Sequence, residues 1–236
     1  MPQELAHEST FLRLLFLKNP KQTSFIKPPL GWFFYVIILP MNNPIKDKIR
    51  SSLLKKRGLL TNHEQQSKSE RIANNIIQSR LLAPAKKIAL YHAVQKEADP
   101  ASLIDNKDLY SQAQFYLPVL SSDKSQGLTF APVNQNTQYK NNQFMIPEPI
   151  VGLNEYISPE ALDVVIMPLL GFDLSGNRLG MGGGYYDRCV AFKKSKPQKP
   201  TLIGFAYDFQ QVDPLNKEPW DIGLDAIATE SRFINF

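Results

Sequence analysis

The sequence predicts an α/β fold, a three-layer sandwich in which helices cover both faces of a mainly parallel sheet. Two observations carry this. Four short apolar runs (residues 87–92, 115–120, 163–170 and 201–207) are bounded by turn-forming or charged residues, and continuous apolar strands are those buried on both faces. Segments with helical spacing or charge alternate with them, as in a crossover-connected sheet. A third observation sets the scale. The chain has 236 residues, 43% hydrophobic and 21% charged, values of an ordinary globular protein large enough to bury a core without covalent staples.

In chain order, residues 44–60 read as a helix. Ile45, Ile49, Leu53 and Leu54 recur at helical spacing between basic residues, and Pro44 suits a first turn. Thr61 with Glu64 three positions on is a capping-box pattern, opening a second helix to about residue 82 with Ile72, Ile76 and Ile77 on one face; Pro84 ends it. Residues 87–92 are the first strand, about 101–112 a short helix and 115–120 a second strand. Residues 121–160 are rich in Asn, Gln, Ser and Pro, with Phe130 and Tyr139 as strand-like islands. The clearest buried strand is 163–170. A helix is expected from Tyr185 to about Lys194, a strand over 201–207 and a last short one over 226–229.

Residues 1–43 read as an extension to this domain, which spans 44–236. Residues 32–39 (WFFYVIIL) are apolar but fall short of the roughly 20 residues a membrane span needs. Three readings stand: an upstream start with Met41 the initiator, a membrane-anchoring or targeting segment, or an ordinary N-terminal strand. The first is favoured, because the organised pattern begins just after Met41.

One cysteine, Cys189, excludes an intrachain disulfide framework and a zinc site built on several thiolates. His7, His63 and His92 show no metal-ligand spacing. The net charge of +5 permits nucleic acid but suits a small polyanion equally well.

Ligands of such sheets bind beyond the carboxyl ends of the strands. After the strand at 163–170 the chain reads GFDLSGNRLGMGGGYYDR over residues 171–188, with Gly180, Gly182, Gly183 and Gly184 within five positions. Glycines let a backbone approach a ligand closely. Successive amide N–H groups form an anion-binding concavity, to which a following helix adds positive charge. Arg178 and Arg188 flank the loop and can pair with phosphate, and Asp187 can hold a Mg²⁺ that bridges phosphates. The spacing is neither the GxxxxGK[ST] nor the GxGxxG phosphate motif, and on glycines alone a structural turn is as good a reading.

The pattern FDxxGxRLGxGxGYYDR resembles the 5-formyltetrahydrofolate cyclo-ligase (5,10-methenyltetrahydrofolate synthetase) family. Other segments agree in order. Lys46-Asp-Lys-Ile-Arg50 is similar to the family's KxxxR, with a further basic residue at Lys56 or Arg57. Residues 88–92 and 97–100 resemble its first strand and acidic substrate loop. Residues 144–149 (FMIPEP) and 219–221 (PWD) resemble later family segments. Two departures are Lys96 to Pro100, where the family often has GEVDT, and Met145, where it often has glycine; both leave the shape of the folate pocket open.

The resemblance implies a NagB/RpiA/CoA-transferase-like, Rossmann-like sandwich. It implies a cytoplasmic, ATP-dependent and Mg²⁺-dependent enzyme, monomeric or weakly dimeric, whose partners are ATP and 5-formyltetrahydrofolate rather than nucleic acid or membrane. It assigns ATP to Lys46, Asp47, Lys48, Ile49 and Arg50 and to the loop Arg178, Leu179, Gly180, Met181, Gly182, Gly183, Gly184, Tyr185 and Tyr186. Folate falls to His92, Glu97, Phe144 and the loop from Met181 to Tyr185. Arg178 and Tyr185 are the catalytic candidates, and Asp187 and Asp221 the metal candidates. Bland alternatives accompany several of these: helix-surface charges for Lys46 and Arg50, a solvated loop for Glu97, a turn for Asp221, and core packing for His92, Phe144 and Tyr185. A non-catalytic nucleic-acid-binding relative and an enzyme for another pterin or amide are the competing functions.

Overall fold

Seven strands form one sheet in the order β11-β10-β9-β6-β1-β2-β3. The strands are β1 (Lys87–Ala89), β2 (Gln114–Leu120), β3 (Leu128–Val133), β6 (Val164–Met167), β9 (Thr201–Phe205), β10 (Ala226–Ala228) and β11 (Phe233–Asn235). The five central strands are parallel, and β3 and β11 close the two edges antiparallel. The computed structural model describes residues 43–106, 112–123, 125–196 and 198–236. The expected extension over residues 1–43 therefore lies, but for Asn43, outside the described residues.

Side chains alternate across each strand, and here both faces are apolar. Ile88, Val164, Ile166, Ile203, Phe205, Phe115 and Leu117 pack on one side with Ile72, Ile76 and Leu103. The latter come from α2 (Asn62–Gln78) and α3 (Ser102–Asp105). Ala89, Val165, Met167, Leu202, Tyr116 and Phe130 pack on the other side. They meet Phe172 of the hairpin β7 (Gly171–Phe172) with β8 (Arg178–Leu179), and Cys189 of α4 (Tyr185–Cys189). The three expected layers are present.

α2 starts where the capping box placed it. The Thr61 hydroxyl accepts from the Glu64 amide at 3.2 Å, and Glu64 Oε2 accepts from the Thr61 amide at 2.8 Å. Thr61→Ala is expected to cost about 1 kcal/mol, read as a lower denaturant midpoint at unchanged slope; an unchanged midpoint would show that packing alone fixes the start of α2.

α1 (Pro44–Gly58) is capped by Asn43, whose side chain accepts from the Ile45 and Lys46 amides. Its orientation differs from the expected one. Ile45 is exposed and Ile49 only partly covered. The inward stripe instead runs through Lys46, Arg50, Leu53 and Arg57, and of these Leu53 and Arg57 are fully buried. Leu53 lies directly over Gly171. The apolar residues were too few to orient the helix alone, and its cations face anionic and carbonyl groups described below.

Other elements are shorter or additional. The helix expected near 101–112 is described only at Ser102–Asp105, with 107–111 outside the described residues. The helix from Tyr185 stops at Cys189 and continues as a 3₁₀ turn, Ala191–Lys194. β4 (Gln138–Asn141) and β5 (Pro147–Ile150) pair as a hairpin. The Tyr139 island lies in β4, and β5, which carries Pro147 and Pro149, is an additional strand.

Candidate active site

From β1 the sheet grows to one side through β2 and to the other through β6, so its topological switch point lies between β1 and β6. Crevices at such points bind ligands. Both candidate segments leave from there: residues 90–97 after β1, and the glycine-rich stretch after β6.

That stretch is built on Asp173. Its Oδ1 accepts from the amides of Ser175 (2.9 Å) and Asn177 (3.0 Å), and its Oδ2 from Asn177 Nδ2 (2.9 Å) and the Leu215 amide (2.8 Å). Burial pushes its carboxyl up, but these bonds outweigh burial and hold it below the ordinary value. The turn they fix lets Phe172 pair with Arg178. Leu179 is core, and its carbonyl accepts from the Leu170 amide.

Arg178 is enclosed, with 5% of its side chain exposed, and its Nη2 donates to Asp187 Oδ1 at 2.6 Å. Its Nε has no hydrogen-bond partner. Beyond it the loop opens. Gly182 and Gly184 take φ of 95° and 64°, a region where a side chain would be strained, and Met181 is exposed. Arg50 Nε donates to the Gly180 carbonyl at 3.0 Å while its Nη1 pairs with Asp47 at 2.6 Å. Lys46 Nζ lies 3.3 Å from Glu218 Oε1 and 3.6 Å from Asp221 Oδ2. A small cleft is lined by Lys46, Arg178, Lys217, Asp221 and Gly223 among others. Lys48 faces outward. α4 has a single turn, so its dipole adds less than expected to anion binding.

Tyr186 is partly buried against the sheet, and burial raises its hydroxyl pKa strongly. Tyr185 is half-buried, edge-on to Phe144 with ring centroids 5.8 Å apart, and Arg188 lies 5.0 Å over its ring. Phe144 is 52% exposed on the β4–β5 hairpin, which excludes plain core packing. That hairpin is tied to β2 by the buried Glu148, whose Oε1 accepts from the Leu120 amide and Asn142 Nδ2, both at 2.9 Å.

On the other side of the crevice, Val94, Gln95, Lys96 and Glu97 form a tight turn. The Glu97 amide donates to the Val94 carbonyl at 2.9 Å, and Gln95 and Lys96 have φ of 48° and 61°, the type I′ pattern. The turn folds the Glu97 side chain inward, so the solvated-loop alternative fails. Its Oε2 accepts from the Val94 amide at 3.1 Å and its Oε1 lies 3.5 Å from Arg57 Nη1. Burial raises the Glu97 carboxyl, against the Val94 amide and Arg57, which pull it down. His92 is partly buried, edge-on to Tyr139 at 5.5 Å. Its Nε2 is buried without a partner, and burial lowers its pKa against Asp99, so it favours the neutral ring.

The structure thus groups Lys46 with Asp221, Arg50 with Gly180, Arg178 with Asp187, Tyr185 with Phe144, and Glu97 with Arg57. Among the described residues no three His, Cys, Asp or Glu side chains are grouped to hold a metal. Cys189 is buried and its thiol is pushed up to about 12 by burial, so it is no nucleophile.

A sequence model of the 5-formyltetrahydrofolate cyclo-ligase family matches residues 42–230. The chain belongs to that family. It is 36% identical over 187 residues to the 5-formyltetrahydrofolate cyclo-ligase of Haemophilus influenzae, covering 78% of this chain and 97% of the relative. It is 32% identical to that of Escherichia coli, covering 75% and 96%. Among solved structures, the Aquifex aeolicus 5,10-methenyltetrahydrofolate synthetase superposes with a TM-score of 0.68 at 30% identity, covering 81% of this chain and 92% of that one. The Mycoplasma pneumoniae synthetase gives 0.59 at 26% identity, covering 78% and 98%. With the family in view, Glu218, Tyr139, Glu148 and Arg57 are site-adjacent residues without an assigned role in the sequence; Glu148 lies in the FMIPEP segment and Arg57 beside the KxxxR pattern, but neither pattern says what they touch.

Proposed function

We propose that this cyclo-ligase family member converts 5-formyltetrahydrofolate and ATP into 5,10-methenyltetrahydrofolate, ADP and phosphate. One observation beyond family membership supports this most directly. A single helix face serves both halves of the crevice: Arg50 at the glycine-rich loop with Lys46 in the cleft that Arg178 also lines, and Arg57 at Glu97. At 1.5 Å rise per residue, Arg50 and Arg57 lie about 10 Å apart along the axis. A two-ring heterocycle read at one edge by Glu97 can therefore place its far edge near a nucleotide phosphate.

The formamide oxygen of the substrate is a poor leaving group. Its attack on the γ-phosphorus of ATP expels ADP and turns that oxygen into part of a phosphate ester. Nitrogen 10 then attacks the formyl carbon, loses its proton, and phosphate departs with the former formyl oxygen. Such a transfer asks the protein for positioning and charge neutralisation rather than a nucleophile. Arg178, Lys46 and Arg50 supply cations, the amides of residues 180–184 supply donors, and Glu97 accepts two N–H bonds from the 2-amino pyrimidinone edge. Phe144, Tyr185 and His92 border the ring.

Mg²⁺, which neutralises phosphate charge when bound, fits as an ion carried largely by the nucleotide. Asp187 and Asp221 are the residues that would hold it; they pair with Arg178 and Lys46. No helix of the described residues is long and apolar enough to cross a membrane, and we place the enzyme in the cytoplasm as a monomer or weak dimer with small molecules as partners.

The test is an absorbance assay of the full chain with ATP, Mg²⁺ and 5-formyltetrahydrofolate. The methenyl product's near-ultraviolet band is expected to grow only when ATP is present. Folded protein that gives a flat trace would shift the assignment to another pterin or amide.

A further inference from the structure

Arg57 is 1% exposed, the largest of the fully buried side chains. Its guanidinium carries five N–H donors, yet Nε, Nη1 and Nη2 all lack a hydrogen-bond partner. Burying a charge so poorly served is costly, and a fold that only needed volume there would do better with a leucine or methionine. What the guanidinium does have is Glu97 Oε1 at 3.5 Å.

The other groups around Glu97 offer no substitute cation. From α2, Gln65 Nε2 donates to the Glu97 carbonyl at 2.7 Å and Ser69 Oγ accepts from the Asp99 amide at 2.9 Å. After β1, Tyr91 donates to the Ala98 carbonyl at 2.5 Å; after β9, the Tyr207 hydroxyl donates to the Lys96 carbonyl at 3.2 Å. Tyr186 of α4, partly buried, feels the Glu97 charge. In Glu97's own loop, Lys96 turns away to Asn62, and Asp99, like Glu97, is an anion acting on the Tyr91 hydroxyl. Arg57 is the cation that faces the carboxylate from inside the protein.

We propose that Arg57 is the positioning residue for Glu97: it keeps the carboxylate ionised and aimed so that both oxygens can accept N–H bonds from the pterin edge, and thereby sets folate affinity and its dependence on pH. This rests on the assignment of Glu97 to the folate under Proposed function. A protonated Glu97 would present a hydroxyl to a donor edge and lose one of the two bonds. Without Arg57, burial is opposed by the Val94 amide alone, so the proton is taken up at higher pH. Arg57 is enclosed and reaches neither phosphate nor folate directly.

The test is steady-state kinetics on the full chain between pH 6 and 8.5 for Arg57→Met, Arg57→Lys, Glu97→Gln and the double variant Arg57→Met/Glu97→Gln. In Arg57→Met the KM for 5-formyltetrahydrofolate is expected to rise about threefold at pH 6, part of the roughly tenfold limit that a shift of one pKa unit sets, and to recover as pH rises, with kcat and the KM for ATP little changed. Arg57→Lys keeps the charge and is expected to restore a pH-flat KM. Glu97→Gln is expected to raise KM equally at every pH, and the double variant to add nothing to it. A merely structural Arg57 would instead lower kcat and disturb both KM values without a pH trend, and that result overturns the proposal. If Glu97→Gln leaves the folate KM untouched, the folate assignment of Glu97 fails. If it raises KM while both Arg57 variants behave as wild type, the assignment stands and the positioning role is overturned. Should Arg57→Met not fold, Arg57→Lys decides: a flat, near-wild-type KM supports the role, and a pH-independent loss as large as that of Glu97→Gln sinks it.

Discussion

Arg178→Ala is expected to lower kcat by about 10³-fold or more, the loss associated with removing one well-placed donor to developing charge, equivalent to about 4 kcal/mol of barrier. Arg178 is held by strand pairing to Phe172 and enclosed beside Lys46 and Asp221. Its position is therefore set before any ligand binds, so little reorganisation opposes its action. Nη2 is engaged by Asp187, while Nε has no partner. That spare donor is what an arriving phosphate oxygen can use. The cost to the fold is smaller. Asp187 is partly exposed and can be solvated once its partner is gone, so we expect about 1–2 kcal/mol and a melting temperature about 2–8 °C lower. Arg178→Lys is expected to recover only part of the rate, because an ammonium cannot donate in a fork. Wild-type turnover in Arg178→Ala, or a rate loss wholly matched by unfolding, would remove Arg178 from the chemistry.

What the sequence allowed one to read follows the physics of each feature. Strands β6 and β9 were legible because both their faces are buried, leaving apolar runs in the text. The start of α2 was legible because a cap is a local hydrogen-bond pattern. The inward face of α1 was not: its partners, Gly180, Glu218, Asp221 and Glu97, are 40 to 175 residues away, and a cation aimed at them is spelled like a solvated one. The resemblance to KxxxR marked Lys46 and Arg50, yet gave Arg57 no more weight than Lys56. Burial separates the two, since Lys56 is exposed and Arg57 enclosed. The glycine-rich loop was found from composition, but the role of Asp173 in shaping it depends on the amide of Leu215, which no local pattern announces.

The same distinction between local and distant causes predicts which glycine matters most to the site, and it lies outside the glycine-rich loop. Gly127, between β2 and β3, has φ of 74°, and a Cβ there would stand 2.4 Å from the Tyr185 carbonyl oxygen and 3.3 Å from its carbon. A peptide carbonyl in the first turn of α4 cannot rotate away as a side chain can. Gly127→Ala must therefore either abandon the turn or push α4, and α4 carries Tyr185, Tyr186 and Asp187. The left-handed backbone costs alanine about 1 kcal/mol and the overpacking about 1–3 kcal/mol. We expect a loss of about 2–4 kcal/mol, read as a melting temperature about 5–15 °C lower. At temperatures where the variant is fully folded, kcat should still be reduced, because the displaced helix carries the partner of Arg178. Gly58→Ala in α1 is the control. A Cβ there meets nothing within 4 Å, so alanine's helix preference should leave stability unchanged or raise it by up to about 1 kcal/mol. If Gly127→Ala melts like wild type, the turn yields without α4 and the two are not coupled. If it melts early but keeps full kcat when folded, α4 tolerates the shift, and the positions of Tyr185 and Asp187 matter less to turnover than the proposed mechanism requires.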